Sequence, residues 1–553
     1  MVKVNQKPGI VPERQEHPEN RNWFDGLSHS WKASLTMGKL VPFLCLETMP
    51  NDYFKINAEV LLRFAPLYLP IFHRVNMALE YFYVPYRIIW DYRYEENVRI
   101  DTWEDFIMGK EELLSPKVQY TAVDYTYGTA SELPMYMGVP TIIDDTGGGL
   151  TPQMEIDALK LAAYYMCYDQ WHRNDQLQEP IEAQLQVRSR TTGLTIFENE
   201  PAASLSCVYR NWNRDLFTSC TFEPQSGAPV QIPMYDLDYT DTVTDTPYKG
   251  PYRWRVSGTD APAPDGDLRI DDNGGAFPAG ASLDAAGNLA VYLDIQETAA
   301  DIMAFRFANV YQEFLERQLR SGDKISDYYP NFWKTDPYKG TLQVPEFLGS
   351  KKGRVVVSEV MSTAETVTLK VGSYAGQALA LESTNNTIEY HCLEHGVILG
   401  IISIYPDTGY FQGLDRMWTR GTYLDYPDPR FSLIGDEEVK NQEVQYTFQT
   451  TLLARNQEVF GYRERMLDSR FKNDTVAGLL RTVLNSFHLG RLLNPLDPEN
   501  LTNGSVLNSL FLQCKPRITD VFQVVEGEDE IYAHIFNDVK VQRMLPKFGI
   551  PNL

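Results

Sequence analysis

A chain of 553 residues with 43% hydrophobic content has ample material for a packed core, which excludes wholesale disorder. Its 50 Lys and Arg stand against 74 Asp and Glu, a formal charge of −24. That sign argues against a general nucleic-acid binder, whose affinity comes from neutralising phosphates with Lys and Arg.

The first 22 residues are polar, contain three prolines and show no periodicity, so we expect an extended arm. They include no apolar h-region, and no signal peptide is expected. Strand-like runs follow at 32–50 ("KASLTMGKLVPFLCLETMP") and 58–70 ("AEVLLRFAPLYLP"). In the next run Val75, Met77, Leu79, Tyr81 and Tyr83 alternate with Asn76, Ala78 and Glu80, the pattern of a half-buried strand that Pro85 ends. What comes after is crowded with Trp90, Tyr92, Tyr94, Trp103 and Phe106 among Arg87, Asp91, Arg93, Glu95 and Glu96. Such a loop either folds back as core or is a surface for another chain to cover.

Helical spacing returns over 157–173, and a helix is expected there. A second helix over 299–321 carries Ile302, Phe305, Phe307, Val310, Tyr311, Phe314, Leu315 and Leu319 as an apolar stripe, with Gly322 placed to cap it. Between them, from Asp236 to Asp294, eleven Asp stand against four Lys or Arg, and the middle is dense in Gly, Ala and Pro. We read this stretch as a surface-projecting insertion bracketed by strands "PYRWRV" and "NLAVYLDI". Strands are expected again within 353–371, 395–406, 416–426 and 443–454. With no linker-like segment between the pieces, one β-sandwich with very long loops fits better than several domains.

Catalytic and metal signals are weak. His391 and His395 in "HCLEHG" have i, i+4 spacing, but the following "GVILGIISIYP" reads as strand and no third ligand is evident, so a structural pair is the better expectation. Asp265, Asp267, Asp271 and Asp272 do not match the EF-hand loop and read as a solvated acidic segment. The chain lacks GxSxG, P-loop and GxGxxG motifs, and any chain this acidic contains paired carboxylates. The six cysteines lie far apart with no CxxC pair, which fits a reducing compartment. We expect no enzyme, no cofactor, no metal and no membrane insertion. No apolar run approaches the ~18–20 residues of a membrane span.

Three clusters interleave aromatics with arginine: "YFYVPYRIIWDYRY", "GYFQGLDRMWTRGTYLDYPDPRF" and "VFGYRERMLDSRFK". Interface cores favour these residue types. Candidate subunit-interface residues are Tyr83, Arg87, Trp90, Tyr92, Trp103, Phe106, Trp418, Arg420, Phe460 and Tyr462. On residues alone, a competing reading is a cytoplasmic β-sandwich carbohydrate-binding protein or glycoside hydrolase, with the 236–294 stretch as a calcium or sugar site.

"FDGLSHSWKASLTMGKLVPF" (24–43), the run from Asn51 to Trp90, "WEDFIMG" (103–109), "YDQWHRNDQLQEP" (168–180), "RDLFTSCTFEPQSGAPVQIP" (214–233), "FANVYQEFLERQLRSGDKISDYYPNFW" (307–333), "PEFLGS" (345–350), "EHGVILGIISIYPDTGYFQGLDRMWTR" (394–420), "QEVFGYRERMLDSRFKNDTVAGLLR" (457–481) and "FHLGR" (487–491) occur in this order. Together they resemble the major capsid proteins of the Microviridae, in the gokushovirus-like branch. Gly26 and the acidic content of 236–294 depart from the family pattern.

The resemblance implies a mainly β chain: an eight-stranded viral jelly roll of two antiparallel sheets with very long helix-containing loop insertions. It implies an arm at 1–22 and one capsid domain over 23–553, with a variable surface insertion at 227–300 that clusters at three-fold axes. It further implies self-assembly into a small T=1 icosahedral shell around circular single-stranded DNA, formed in the bacterial host cytoplasm as part of a virion. Implied partners are identical subunits, a small basic DNA-packaging protein, an internal scaffolding protein, a pilot protein, the packaged DNA and a host cell surface receptor. Candidate host-contact residues in the insertion are Tyr252, Trp254, Asp265, Asp271 and Phe277.

Overall fold

The computed structural model describes residues 21–67, 71–91, 103–109, 115–121, 132–140, 153–181, 185–187, 195–197, 205–228, 230, 281–283, 289–291, 302–322, 324–335, 343–355, 357–358, 377–383, 387–493, 507–522, 524 and 529–546. The chain divides into two compact units, one of residues 1–224 with 319–553 and one of residues 225–318.

The first unit is built on two antiparallel sheets. We label its main elements β1 (Asn22–Phe24), β2 (His29–Leu35), β3 (Val41–Thr48), β4 (Tyr53–Phe64), β5 (Val75–Pro85), α1 (Tyr86–Asp91), α2 (Trp103–Ile107) and α3 (Ala158–Trp171). After α4 (Ile302–Ser321) come β6 (Glu346–Val355), β7 (Gln377–Ser383), β8 (Ile388–His391), β9 (Gly396–Pro406), β10 (Asp436–Lys440), β11 (Val459–Glu464) and β12 (Ile531–Arg543).

In the first sheet β12 runs antiparallel to β4 from Ile531↔Phe64 to Gln542↔Tyr53. The far edge of β12 pairs with β1 and β2, and the far edge of β4 with β7 and β8. In the second sheet the order is β6, β5, β9, β3. Both central strands of the first sheet bury alternate residues: Phe54, Ile56, Ala58, Val60, Leu62 and Phe64 on β4, and Ile531, Ala533, Ile535, Val539 and Val541 on β12. These join residues of β3, β5 and β9 in one core, as the side-chain period of two requires of a sandwich.

The second sheet departs from the half-buried expectation. Every residue of β9 is buried, and on β5 so is the whole run Tyr81–Val84. Its outer face is covered by helices. The Phe82 ring meets Trp171 at the end of α3, and α1 follows directly from Pro85. A strand covered on both faces reads as continuous apolar sequence, as "GVILGIISIYP" does.

The helix expected at 157–173 is α3, whose N-cap Asp157 accepts the Leu159 N–H at 2.9 Å. It is enclosed nearly all round, and the Tyr164 hydroxyl donates to the Leu40 carbonyl at 2.7 Å. Gly38 marks another close approach. Its φ is +88°, and a Cβ there would lie 2.0 Å from the Cys514 carbonyl oxygen.

Two expected strands are corrected. Residues 416–426 form short 3-10 turns at Arg416–Trp418 and Tyr423–Asp425, and 443–454 lies in Asn441–Val444 helix and Thr450–Gln457 3-10 turns. The cause is local. Asp415 accepts the Met417 N–H at 3.1 Å, and Asp425 accepts those of Gly421 and Thr422 at 3.0 and 2.7 Å, offering the backbone an alternative to a ladder.

In the second unit α4 is the helix expected over 299–321, and Gly322 after it has φ +93°, the left-handed cap conformation. The Leu289–Val291 strand falls within the expected "NLAVYLDI" and pairs with Ala281–Leu283. Residues 251–256 lie outside the described residues.

Candidate subunit interface

Residues 409–493 rest on a second, smaller core of Leu216, Phe217, Tyr410, Val439, Val444, Phe460, Leu507 and Phe511. Above it, β10 pairs with β11 and carries an ionic knot. Arg463 lies with Nε 3.1 Å from Glu437 and a terminal nitrogen 3.2 Å from Glu443, and Arg416 reaches Glu437 at 3.0 Å. Burial pushes the Glu443 carboxyl above its usual range, against the pull of Arg463 and Arg416. Two arginines between two buried glutamates fix where the next segment leaves the core.

That segment, 412–434, contains no buried residue at all. It nevertheless carries Met417, Trp418, Tyr423, Leu424, Tyr426, Leu433 and Ile434 in exposed positions. Trp418 is 72% exposed and Leu433 95%. Gln412, Arg416 and Arg420 tie the segment to Leu493, Glu438 and Asp468, while local caps such as the Asp428 carboxylate accepting from Arg430 at 3.0 Å shape its turns, and its apolar side chains stay exposed. Phe448, at 86% exposure, Leu479 and Val483 are exposed as well. Large apolar side chains exposed in such number mark places where another chain binds.

The sequence-predicted residues sort into three groups. Tyr83, Trp90 and Phe460 are closed inside their own chain: the Tyr83 hydroxyl donates to the Glu394 carbonyl at 2.9 Å, Trp90 is 3% exposed, and Phe460 packs its ring 5.0 Å from Phe511. With so little surface left they are core of the subunit, Tyr83 and Trp90 in the main core and Phe460 in the smaller one. Arg87, Trp103, Phe106, Arg420 and Tyr462 are half-buried. Arg87 grips Glu394 at 2.9 and 3.2 Å, Trp103 packs against Tyr86 and Trp90, and Arg420 meets Asp468 at 3.3 Å. Trp418 stands out from the fold. Tyr92 and the insertion residues Tyr252, Trp254, Asp265, Asp271 and Phe277 lie outside the described residues, as does the Asp265–Asp272 acidic run.

Tyr423, Leu433, Ile434, Phe448, Leu479 and Val483 are exposed here without being among the residues the sequence marks as contacts. For Tyr423, Leu433 and Ile434 the signal is apolar residues without period 2 or 3.6 in a segment rich in Gly, Pro and Asp; Phe448, Leu479 and Val483 carry no such mark.

Little here suggests chemistry. The histidines considered as ligands stand apart in role: His391 sits on β8 with Nε2 2.8 Å from the Asn51 side-chain oxygen, and the His395 ring lies 6.1 Å from that of Trp103. Among the described residues no group of three or more His, Cys, Asp or Glu is placed to hold a metal. A polar cleft of about 440 Å³ is lined by Arg173, Asp175, Arg214, Asp327 and Tyr462 among others. Arg173 and Lys324 both bind Asp175 there, at 2.9 and 3.1 Å. Among the described residues no helix is long and apolar enough to cross a membrane.

A two-sheet antiparallel sandwich whose connections display so much apolar surface defines a structural subunit, one completed by association. Comparison with known proteins identifies the kind. Residues 15–553 match the family of phage capsid proteins (F protein), and the chain belongs to that family. It is 26% identical to the capsid protein VP1 of Chlamydia phage 1, with all of both chains covered. It is 25% identical to the capsid protein VP1 of Bdellovibrio phage phiMH2K over 95% of this chain and 94% of the relative, and 24% identical to that of Spiroplasma virus 4 over 82% of each. The Microviridae resemblance, gokushovirus-like branch included, is thus borne out. The chain is a capsid structural protein and a component of the virion, working as one of many identical copies.

Proposed function

We propose that this chain is the major capsid subunit of a T=1 icosahedral shell enclosing circular single-stranded DNA, and that the exposed surface of residues 412–434, with Phe448, Leu479 and Val483, is buried between neighbouring copies. The observation that carries the reading is that well-defined segment without a buried residue, in a chain belonging to a capsid family. Closed shells repeat heterologous contacts around axes, and large apolar connections supply the area. Trp418, Arg420 and Tyr462 keep their place as contact residues, with Arg87, Trp103 and Phe106 at the edge of the subunit core.

On this reading the two sheets are the jelly roll of eight principal strands, residues 1–22 form an arm, and 227–300 is a variable insertion of the single capsid domain. The −24 charge calls for a cationic partner to neutralise packaged DNA, the role of a small basic packaging protein beside scaffolding and pilot proteins. Negative-stain microscopy of the purified chain tests the assembly. Uniform small spheres, or five-fold intermediates, are expected, and a monomer that persists at high concentration under every assembly condition would overturn it. Host contact through the insertion is tested separately by deleting Gly258–Gly287. Particles are expected to form normally and adsorb poorly to the host, and unchanged adsorption refutes the contact.

A further inference from the structure

His488 is buried, and both its ring nitrogens are committed to the backbone. Nδ1 accepts the Gly490 N–H at 3.0 Å, and Nε2 lies 2.9 Å from the Leu480 carbonyl oxygen. An amide N–H can only donate and a carbonyl can only accept, so Nδ1 is bare, Nε2 carries the hydrogen and the ring is neutral. The turns around it are tied to the rest of the unit at a few points. The Phe72 N–H donates to the Phe487 carbonyl at 2.8 Å and the Arg491 N–H to that of Gly409 at 2.9 Å. The Phe411 ring stands edge-on to the imidazole at 5.1 Å, and the Arg517 guanidinium bonds the carbonyls of Asn485 and His488 at 2.9 and 3.1 Å.

We propose that His488 is an acid-sensitive latch: a proton on Nδ1 breaks its bond to Gly490 and loosens residues 478–491, which carry Leu479 and Val483. Geometry is the first argument, since protonation sets two N–H groups against each other. Burial is the second, because an enclosed ring has no solvated edge on which to carry the new charge. The third is the company it keeps. The groups facing the ring are Arg517, whose carboxylate partner is Asp520, and His73, while Arg481 of the same segment is turned to the Phe411 carbonyl at 2.9 Å. Burial first, then Arg517 and His73, hold the imidazole pKa below its ordinary 6.5, against the pull of the Leu480 carbonyl. With the folded value below the unfolded one, the stabilisation from His488 is complete above about pH 6.5 and is lost as pH falls through the folded value. Leu479 and Val483 belong to the surface proposed to lie between copies, so, resting on that reading, mild acid weakens the shell at this point.

The latch is tested on the unassembled full-length chain. Exchange of the His488 C2 hydrogen for deuterium, followed by mass spectrometry from about pH 4 to pH 8, reads the titration of the ring in the wild type. A midpoint below 6.5 is expected, and one at or above it overturns the proposal. Backbone amide exchange is then compared with that of His488→Asn, which keeps an acceptor for the N–H two residues on and takes up no proton. Relative to this variant, residues 478–491 of the wild type should lose up to about tenfold in protection per pH unit on acidification, the response to one proton. An equal response of the two chains to pH overturns the latch. Assembled particles address the contact separately. Dissociation of wild-type particles at a higher pH than those of His488→Asn supports it, whereas equal survival with a responsive latch removes Leu479 and Val483 from the interface and leaves the latch standing.

Discussion

The Trp90 indole lies 4.7 Å, centroid to centroid, from the Phe106 ring, with the planes tilted by 31°. The contact joins α1 to α2 and, with Trp103 5.6 Å from Trp90, closes an aromatic cluster over the end of the second sheet. Trp90 therefore belongs to the core, with the half-buried Trp103 and Phe106 packed against it. Trp90→Ala is expected to cost the subunit about 3–5 kcal/mol, as deletion of a large buried aromatic does. The measurement is chemical denaturation of the unassembled chain. A loss below about 1 kcal/mol would show that Trp90 is not held as described.

The opposite outcome is expected at Trp418. Trp418→Ala combined with Tyr423→Ala removes exposed side chains on 3-10 turns, so subunit stability should change by no more than about 0.5 kcal/mol. If these side chains anchor a contact between copies, particle formation should fall sharply, read by sedimentation of the assembly mixture. Particles in normal yield with a normal melt would take the 412–434 segment out of the interface.

These two tryptophans show what sequence could and could not say. Both stand in aromatic–arginine clusters of similar composition, and composition alone does not tell a core from a contact surface. Regular elements are legible from period and continuity: β4 and β5 follow from alternation, β9 from a continuous apolar run and α4 with Gly322 from a capped stripe, although β5 is buried on both faces over Tyr81–Val84 and most of the α4 stripe is exposed. The strand Ile531–Arg543 alternates as clearly and was not among the expected elements, although it is central to the first sheet. Residues 416–426 were misread as strand because β-prone aromatics outweighed Asp415 and Asp425, whose carboxylates capture backbone N–H groups only when the chain turns.

Arg463 supports a third prediction. It is buried with Glu437 and Glu443, and Arg463→Met leaves two carboxylates in the interior with only Arg416 beside them. Breaking a buried pair from one side costs about 3–5 kcal/mol, mostly through the charge left behind. Adding Glu443→Gln to the Arg463→Met chain should restore part of the lost melting temperature by removing one of those charges. No recovery in the double variant would mean that Arg463 acts by packing rather than by charge.

Glu530 precedes β12 and is fully buried. One carboxylate oxygen accepts the Met37 N–H at 2.5 Å, while the other has no hydrogen-bond partner. Burial is the main cause that raises its pKa from 4.5 to about 7, with Asp529 adding to it and the Met37 N–H and Lys39 opposing. Because the folded value lies above the unfolded one, the folded chain holds this proton more tightly. Its contribution is complete below about pH 4.5 and is lost as pH rises through about 7. That shift corresponds to about 3 kcal/mol across the window. Glu530→Gln keeps the shape and cannot ionise, so relative to wild type the variant should gain stability steadily from pH 5 to pH 8. Melting curves of both chains at several pH values read the difference directly, and a constant offset across that range would show that Glu530 does not titrate there.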